Sequence, residues 1–354
     1  MVKRLKKIRQ LLEKNRVDAV LITNPVNRRY LSGFEGSAGV LLISSGQAYL
    51  VTDFRYVDQA AAQAPHFEVK RWKDDLNRFL AGLVEENGWK KIGFESEHVV
   101  YSVYKEMEEK LPAGLTPVKK IAENLRMIKG PAEVDVMRRG AKILDRAFEY
   151  VQSIAGPGMT EKALALELEI HLLKEGMEEP SFRYIVASGH RGSMPHGTAS
   201  DKVISEGEMV TLDFGGVFEG YATDMTRTFA LGKVDQRQRE IYGIVYKAQQ
   251  KACDALKPGL KCSEADAVAR DLISEEGYAN YFGHGLGHGV GLETHEQPVL
   301  NHRSNTILEA GMVVTVEPGI YIPGWGGVRI EDMLVVTEIG SETLTNSPRD
   351  LIIL

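Results

Sequence analysis

Met209-Val210-Thr211-Leu212-Asp213 and Met312-Val313-Val314-Thr315-Val316-Glu317 are two apolar strands that each run into a carboxylate, and the two acids stand 104 residues apart. Glu206 precedes the first strand as Glu309 precedes the second. Further upstream, Pro157-Gly158 opens a helical run that ends at Gly176. Pro258-Gly259 opens another that ends at Gly277, offset by 101 residues at both ends. Thr160 and Ser263 are the expected N-caps, because a hydroxyl there accepts from a free N–H of the first turn. Downstream, each copy supplies a second β-branched strand with an acid: Asp224 within 222–229 and Glu331 within 328–336. The shared order of helix, helix, strand, acid, turn, strand, acid predicts a duplicated α/β half. Two such copies facing each other give a pseudo-symmetric pair of antiparallel sheets, backed by helices, with four acids near one axis.

A helix should open this region at Gly130-Pro131, since proline suits a first turn where its N–H would have no partner. Val134, Met137, Ala141, Leu144, Phe148 and Val151 trace one apolar stripe along it. Residues 1–125 read as a separate α/β domain, ahead of a catalytic domain at 130–354. Strands are expected at Ala19–Ile22, Gly39–Ile43, Ala48–Val51 and Lys91–Phe94, with helices near Asn77–Glu86 and Val103–Lys110. Pro112, Gly114 and Pro117 punctuate the exit from this domain. Asp53-Phe54-Arg55-Tyr56 reads as a turn.

The chain has 354 residues and a net charge of −6, which favours two domains and offers no basic surface for nucleic acid or an anionic membrane. Its two cysteines, Cys253 and Cys262, cannot build a disulfide framework and fit a reducing, cytoplasmic setting. Lys3, Arg4, Lys6, Lys7 and Arg9 precede no long apolar run. Leu5, Ile8, Leu11 and Leu12 recur at helical spacing, so the start reads as an amphipathic helix and not a targeting segment.

The chemistry gathers in the second half. Strand alternation puts Asp224 on one face with Ala222, Thr226 and Thr228, where pairing with the first strand brings it near Asp213. Arg329, Glu331 and Met333 share a face of the later strand, which leaves a buried Arg329–Glu331 contact as the plain structural reading. His284, His288 and His295 fall within twelve residues, the first two of them in the glycine-rich run Gly283–Gly291. That run matches neither the phosphate-loop nor the dinucleotide spacing. Four converging carboxylates repel and raise one another's pKa, and two divalent cations would neutralise them. Metals about 3.5–4 Å apart can activate a water. Oxygen-rich ligation with one imidazole suits Mn²⁺, with Co²⁺ or Zn²⁺ as alternatives.

The series Asp213, Asp224, His288, Glu317, Glu331 resembles the dinuclear site of the "pita-bread" metallopeptidases, the M24-type group of methionine aminopeptidases, aminopeptidase P and prolidase. The N-terminal part is similar to the creatinase-type domain of the proline-specific branch. The resemblance implies a two-domain α/β chain, with a creatinase-type domain followed by a pita-bread α+β catalytic domain. It implies that Asp224 and Glu331 bridge two metals, that Asp213 completes one site, and that His288 and Glu317 complete the other. Glu317 becomes the base, His295 the group at the scissile carbonyl or leaving amine, and His196 and His284 substrate-pocket histidines. Tyr321 and Arg329 orient the bridging carboxylates or line the pocket. One departure stands out: relatives often carry an acid after the phenylalanine of Ser181-Phe182-Arg183-Tyr184-Ile185-Val186, where this chain has Arg183.

The expected function is therefore that of an exopeptidase cleaving the bond between an N-terminal residue and proline, aminopeptidase P-like, with prolidase as the alternative. The resemblance also implies a homodimer acting on proline-containing peptides. A peptide-binding protein that has lost catalysis is the reading from another class.

Overall fold

The computed structural model describes residues 2–354, which fall into two compact units, one running to Arg126 and the other from Met127 to Leu354. In the first unit, six strands form one mixed sheet: β1 (Ala19–Ile22), β2 (Val40–Ser44), β3 (Ala48–Thr52), β4 (Glu68–Arg71), β5 (Lys91–Glu95) and β6 (Gly114–Val118). The spatial order is β4-β3-β2-β1-β5-β6. The central strands β1, β2 and β3 are buried throughout, which is why they read as continuous apolar runs. The helix Val2–Asn15 buries Leu5, Ile8 and Leu12, as its periodicity requires.

Several features of this unit differ from the sequence expectation, among them β4 and a helix at Val57–Gln63. Pro117 lies inside β6 and not in a connecting segment. That strand pairs only with β5 and forms the sheet edge, where a missing N–H costs no ladder bond. A helix at Pro25–Ser32 also appears, capped by Asn24, whose side chain accepts from the N–H groups of Val26 and Asn27. Asp53–Tyr56 is the turn its composition suggests: the Tyr56 N–H donates to the Asp53 carbonyl at 3.2 Å.

The second unit carries the repeat. Strands β7 (Glu179–Pro180), β8 (Ile185–Ser188), β9 (Met209–Phe214), β10 (Gly216–Phe218), β11 (Tyr221–Ala222) and β12 (Met225–Ala230) belong to its first half. Strands β13 (Gly287–Gly289), β14 (Glu296–Leu300), β15 (Val313–Val316), β16 (Gly319–Ile322), β17 (Gly326–Arg329), β18 (Asp332–Val336) and β19 (Ser341–Thr343) belong to its second. One antiparallel sheet runs β12-β9-β8 and the other β14-β13-β15-β18-β19. The trio β8, β9, β12 is thus repeated as β13, β15, β18.

Each sheet is backed by its own helix pair. Pro131–Ile154 and Glu161–Lys174 pack Leu144, Phe148, Val151, Leu164 and Leu168 against Val210, Leu212, Phe214 and Phe229. Gln236–Ala255 and Cys262–Glu275 pack Ile241, Val245, Ala248 and Ala269 against Val314, Val316 and Leu334. Thr160 caps its helix, accepting from the Ala163 N–H at 3.1 Å. Ser263 does not cap its own. The helix begins one residue earlier, at Cys262, Lys261 is the cap position, and the Glu264 carboxylate accepts the Lys261 N–H at 3.2 Å.

Each acid-bearing strand is shorter than the run of β-branched residues suggests. Thr223-Asp224 lies between β11 and β12, and Ile330-Glu331 lies between β17 and β18. Both acids therefore stand outside the strand ladders. The β10–β11 hairpin is inserted between β9 and β12, so those two strands pair across a longer excursion than a simple hairpin.

Candidate metal centre

The core-facing residues of β9 are Val210, Leu212 and Phe214. Alternation then turns Thr211 and Asp213 to the opposite face. In the antiparallel register Asp213 stands across from Thr226 of β12, and Asp224 follows two residues before Thr226 on the same side. In the second half, Val314 and Val316 face their own core, which leaves Thr315 and Glu317 on the face of β15 that meets Asp213. A backbone bond stitches the halves: the Glu331 N–H donates to the Thr226 carbonyl at 3.1 Å. Four acids from two sheets thereby reach one seam.

His288 comes from β13, whose counterpart β8 reads Ile-Val-Ala-Ser, so the imidazole has no equivalent in the other half. The glycines on either side of it are demanded by close backbone approach. A Cβ on Gly287 would stand 2.0 Å from the Thr315 carbonyl oxygen, and one on Gly289 2.2 Å from that of Gln297.

The decisive geometry is at His288 Nε2. It lies 3.6 Å from Asp224 Oδ2 and 3.4 Å from Glu317 Oε1. Its Nδ1 is 3.1 Å from the Gly289 carbonyl, which can only accept, so Nδ1 carries the proton and Nε2 presents a lone pair. Burial first, and then neighbouring His295, lower this imidazole to about 4, so it is neutral. A lone pair thus faces two carboxylates, and acceptors facing acceptors need a proton or a metal cation between them. Ligand atoms of Asp224, His288 and Glu331 lie within 4.8 Å of one another.

The remaining charges tell the same story. Burial raises Asp224 well above the usual carboxylate range, with Glu331 and Asp213 adding repulsion. Burial also raises Glu331, with Glu317 and Asp213 adding to it. Glu317 is pushed up to about 8, mainly by burial. Asp213 Oδ1 is buried without a hydrogen-bond partner among the described residues. Excess buried negative charge, an orphaned carboxylate oxygen and an aimed imidazole lone pair are the donor set that divalent cations satisfy.

Arg329 is the cation the protein itself supplies. Its Nη2 donates to Asp213 Oδ2 at 2.6 Å, its Nη1 to the Tyr321 hydroxyl at 2.9 Å and its Nε to Thr226 Oγ1 at 3.1 Å. The expected Arg329–Glu331 contact is therefore replaced. Residues 330–331 lie outside both β17 and β18, so the alternation of a single strand does not hold there, and Glu331 Oε2 instead accepts from Thr226 Oγ1 at 2.6 Å. Tyr321 continues the chain to His284 Nε2 at 2.8 Å. His284 Nδ1 lies 2.8 Å from the Gly285 carbonyl, so this imidazole accepts from Tyr321. Burial and Arg329 lower it to about 4.

The other two histidines sit at the rim. His295 is exposed, with its ring centroid 4.3 Å from that of His288. His196 is exposed on the segment after Ser188, and the preceding Pro195 carbonyl accepts from Arg329 Nη1 at 3.2 Å. Of the departing segment, Arg183 is exposed while Tyr184 is buried in the first-half core.

The sequence reading missed the threonines. Thr226 serves Glu331 and Arg329 together, and Thr315 Oγ1 lies 3.3 Å from Glu317 Oε1 while accepting the His288 N–H at 3.1 Å. The available signal was alternation: each threonine shares a strand face with an acid two residues away. Also missed was fully buried Asp332, next to Glu331. It binds Arg227, Arg349, Gln249 and Thr345, and Arg227 in turn donates to the Glu331 and Thr226 carbonyls.

Residues 135–338 match metallopeptidase family M24, and residues 4–128 match the creatinase/prolidase N-terminal domain. The chain is 38% identical over 359 residues to an Xaa-Pro dipeptidase of Pyrococcus horikoshii, covering 99% of each. Its structure is similar to an Xaa-Pro dipeptidase from Bacillus anthracis, with a TM-score of 0.99, 46% identity and coverage of 100% of this chain and 99% of that one. It is also similar to an X-Pro aminopeptidase from Thermotoga maritima, with a TM-score of 0.90, 39% identity and coverage of 96% and 98%. The chain belongs to metallopeptidase family M24, in the branch that carries a creatinase/prolidase N-terminal domain.

Proposed function

We propose that this protein is a two-metal exopeptidase that hydrolyses the bond between an N-terminal residue and proline, with the dipeptide Xaa-Pro as its preferred substrate. The observation that carries the metal reading is His288 Nε2, a lone pair aimed between Asp224 and Glu317. The names of the relatives support the proline preference, and two of the three reported above are dipeptidases. The similar X-Pro aminopeptidase favours longer peptides as a second reading.

Asp224 and Glu331 would bridge two cations, Asp213 would complete one position, and His288 and Glu317 the other. Mn²⁺ is proposed as the native metal because the donors are mostly carboxylate oxygens with a single imidazole. Bound there, the cations supply Lewis-acid polarisation of the scissile carbonyl and lower the pKa of the attacking water. Glu317 would take up the proton that the attacking water gives up when its oxygen bonds to the carbonyl carbon. The carbon–nitrogen bond to proline then breaks, and the ring nitrogen leaves with a proton. His295, at the rim beside His288, donates to the carbonyl oxygen or the leaving amine. His196 and His284 line the proline side, while Tyr321 and Arg329 hold Asp213 and His284 in place.

No helix among the described residues is long and apolar enough to cross a membrane. Both cysteines are free and buried, which supports a reducing cytoplasmic setting. A homodimer is proposed on family grounds, with light scattering as its check.

The test is hydrolysis of an Xaa-Pro dipeptide beside an Xaa-Pro-Yaa tripeptide by Mn²⁺-loaded protein, with and without chelator. Chelator-sensitive cleavage, faster on the dipeptide, is the expected result. Faster tripeptide cleavage transfers the assignment to the aminopeptidase reading. Release of N-terminal methionine with neither proline peptide cut overturns the proline assignment. Bound peptide without hydrolysis at full metal occupancy favours the non-catalytic binder.

A further inference from the structure

Glu161 stands at the start of the helix Glu161–Lys174, on the outer side of the first-half sheet, and is fully buried. A buried carboxylate at such a place needs donors on both oxygens. It has them. Oε1 accepts the Ser188 N–H and the Ser188 hydroxyl, both at 2.8 Å. Oε2 accepts the Ser200 N–H at 3.1 Å, the Ser200 hydroxyl at 2.7 Å and Arg191 Nη1. Arg191 Nη2 then donates to the Thr198 carbonyl at 2.8 Å. One carboxylate thus grips the first residue of a loop, its last residue and an arginine within it.

The loop so closed is Ser188–Ser200, and it carries His196. Its inner side rests directly on β17: a Cβ on Gly327 would meet the Gly192 carbonyl oxygen at 2.2 Å, and one on Gly326 that of Gly189 at 2.8 Å. The same loop meets the metal cluster through the Pro195 carbonyl, held by Arg329 Nη1. The loop is fixed at both ends from behind and along one side by backbone contact. The exposed His196 imidazole is left as the part free to meet a substrate.

We propose that Glu161 is a positioning residue, which sets His196 for the peptide through the Ser188–Ser200 loop. The proposal rests on the reading of His196 as a substrate-side group. In Glu161→Gln the shape is kept, but one acceptor oxygen becomes an amide that faces donors, and one end of the loop is released. Displacement of a substrate-side group by about 1 Å costs about a hundredfold in rate.

The experiment is a double-mutant cycle on Mn²⁺-loaded protein with Glu161→Gln, His196→Ala and the pair, reading kcat, KM and metal content. The expected result is a tenfold to hundredfold loss of kcat/KM in each single variant, with two metals retained. In the double variant the loss should be no greater than in His196→Ala, because contacts in one network do not add. Losses that multiply, or loss of metal in Glu161→Gln, would overturn the positioning role. Unchanged kcat/KM in His196→Ala would instead sink the reading of His196 itself. If Glu161→Gln does not fold, Ser200→Ala removes one hydroxyl from the same grip. It should show the same failure to add with His196→Ala, and a multiplied loss there would also overturn the proposal.

Discussion

Arg329 Nη2 lies 2.6 Å from Asp213 Oδ2 and joins the end of one repeat to the acid strand of the other. Burial opposes a charge on this guanidinium, but Tyr321, Asp213 and Glu317 hold it protonated. Removing one partner of a buried pair leaves the other uncompensated. Arg329→Met should therefore cost about 3 kcal/mol of stability in metal-free protein. Urea denaturation with and without Mn²⁺ checks this: the metal should restore part of the loss, since it takes over the neutralisation of Asp213.

Asp224→Asn should abolish activity and metal retention while the fold persists. In metal-free protein the amide removes a negative charge that burial, Glu331 and Asp213 all oppose. Its thermal midpoint should equal or exceed that of metal-free wild type at pH 8. Turnover at the wild-type rate would refute a bridging role for Asp224.

Metal binding should release protons. Glu317 is raised to about 8 in the metal-free site, and Asp224 and Glu331 are raised as well. Below that pH the cations must displace protons, so affinity should climb as pH rises toward 8. Calorimetry in buffers of different ionisation enthalpy reads the proton count, and a count of zero at pH 7 would contradict the charge arrangement.

His284 gives a stability signature of its own. Its value falls from 6.5 to about 4 on folding. Above pH 6.5 it is neutral in both states and contributes no pH dependence. As pH falls from 6.5 toward 4, the unfolded chain takes a proton that the folded one refuses, so stability declines, and it levels off below 4. Thermal scans of wild type against His284→Asn across this window should show a shallower decline in the variant.

Gly287→Ala should lose metal binding. The added methyl meets the Thr315 carbonyl oxygen at 2.0 Å. The strand bearing His288 must then move away from β15, and the lone pair loses its aim. Metal titration of the purified variant is the measurement, and wild-type affinity would contradict the packing.

Much of this centre was legible in the chain. Asp213 and Glu317 were readable because each closes an apolar strand whose alternation fixes its face, and the repeat tied Asp224 and Glu331 to them. His288 was readable from its glycine setting, since Gly287 and Gly289 admit no side chain. Strand alternation pairs Arg329 with Glu331, and the structure pairs it with Asp213 instead. Its true partner, Asp213, is 116 residues away, and no local pattern encodes that distance. Thr226, Thr315 and Asp332 were passed over for a similar reason, because a buried polar side chain is defined by its partners and not by its neighbours in sequence. In the first unit the central strands could be read from continuous burial. The edge strands β4 and β6, half exposed and interrupted by charge or proline, could not.

The hydrogen bond from the Glu331 N–H to the Thr226 carbonyl makes the seam between the repeats the place where ligands would gather. Neither repeat holds a complete set of donors. A cation bound there behaves as a rivet that recognises only the assembled pair, and it adds stability by RT ln(1 + [L]/Kd). Melting temperature thus becomes a gauge of free metal: a hundredfold excess over Kd is worth about 2.7 kcal/mol. Heat tolerance in this chain should therefore rise with the free divalent metal around it.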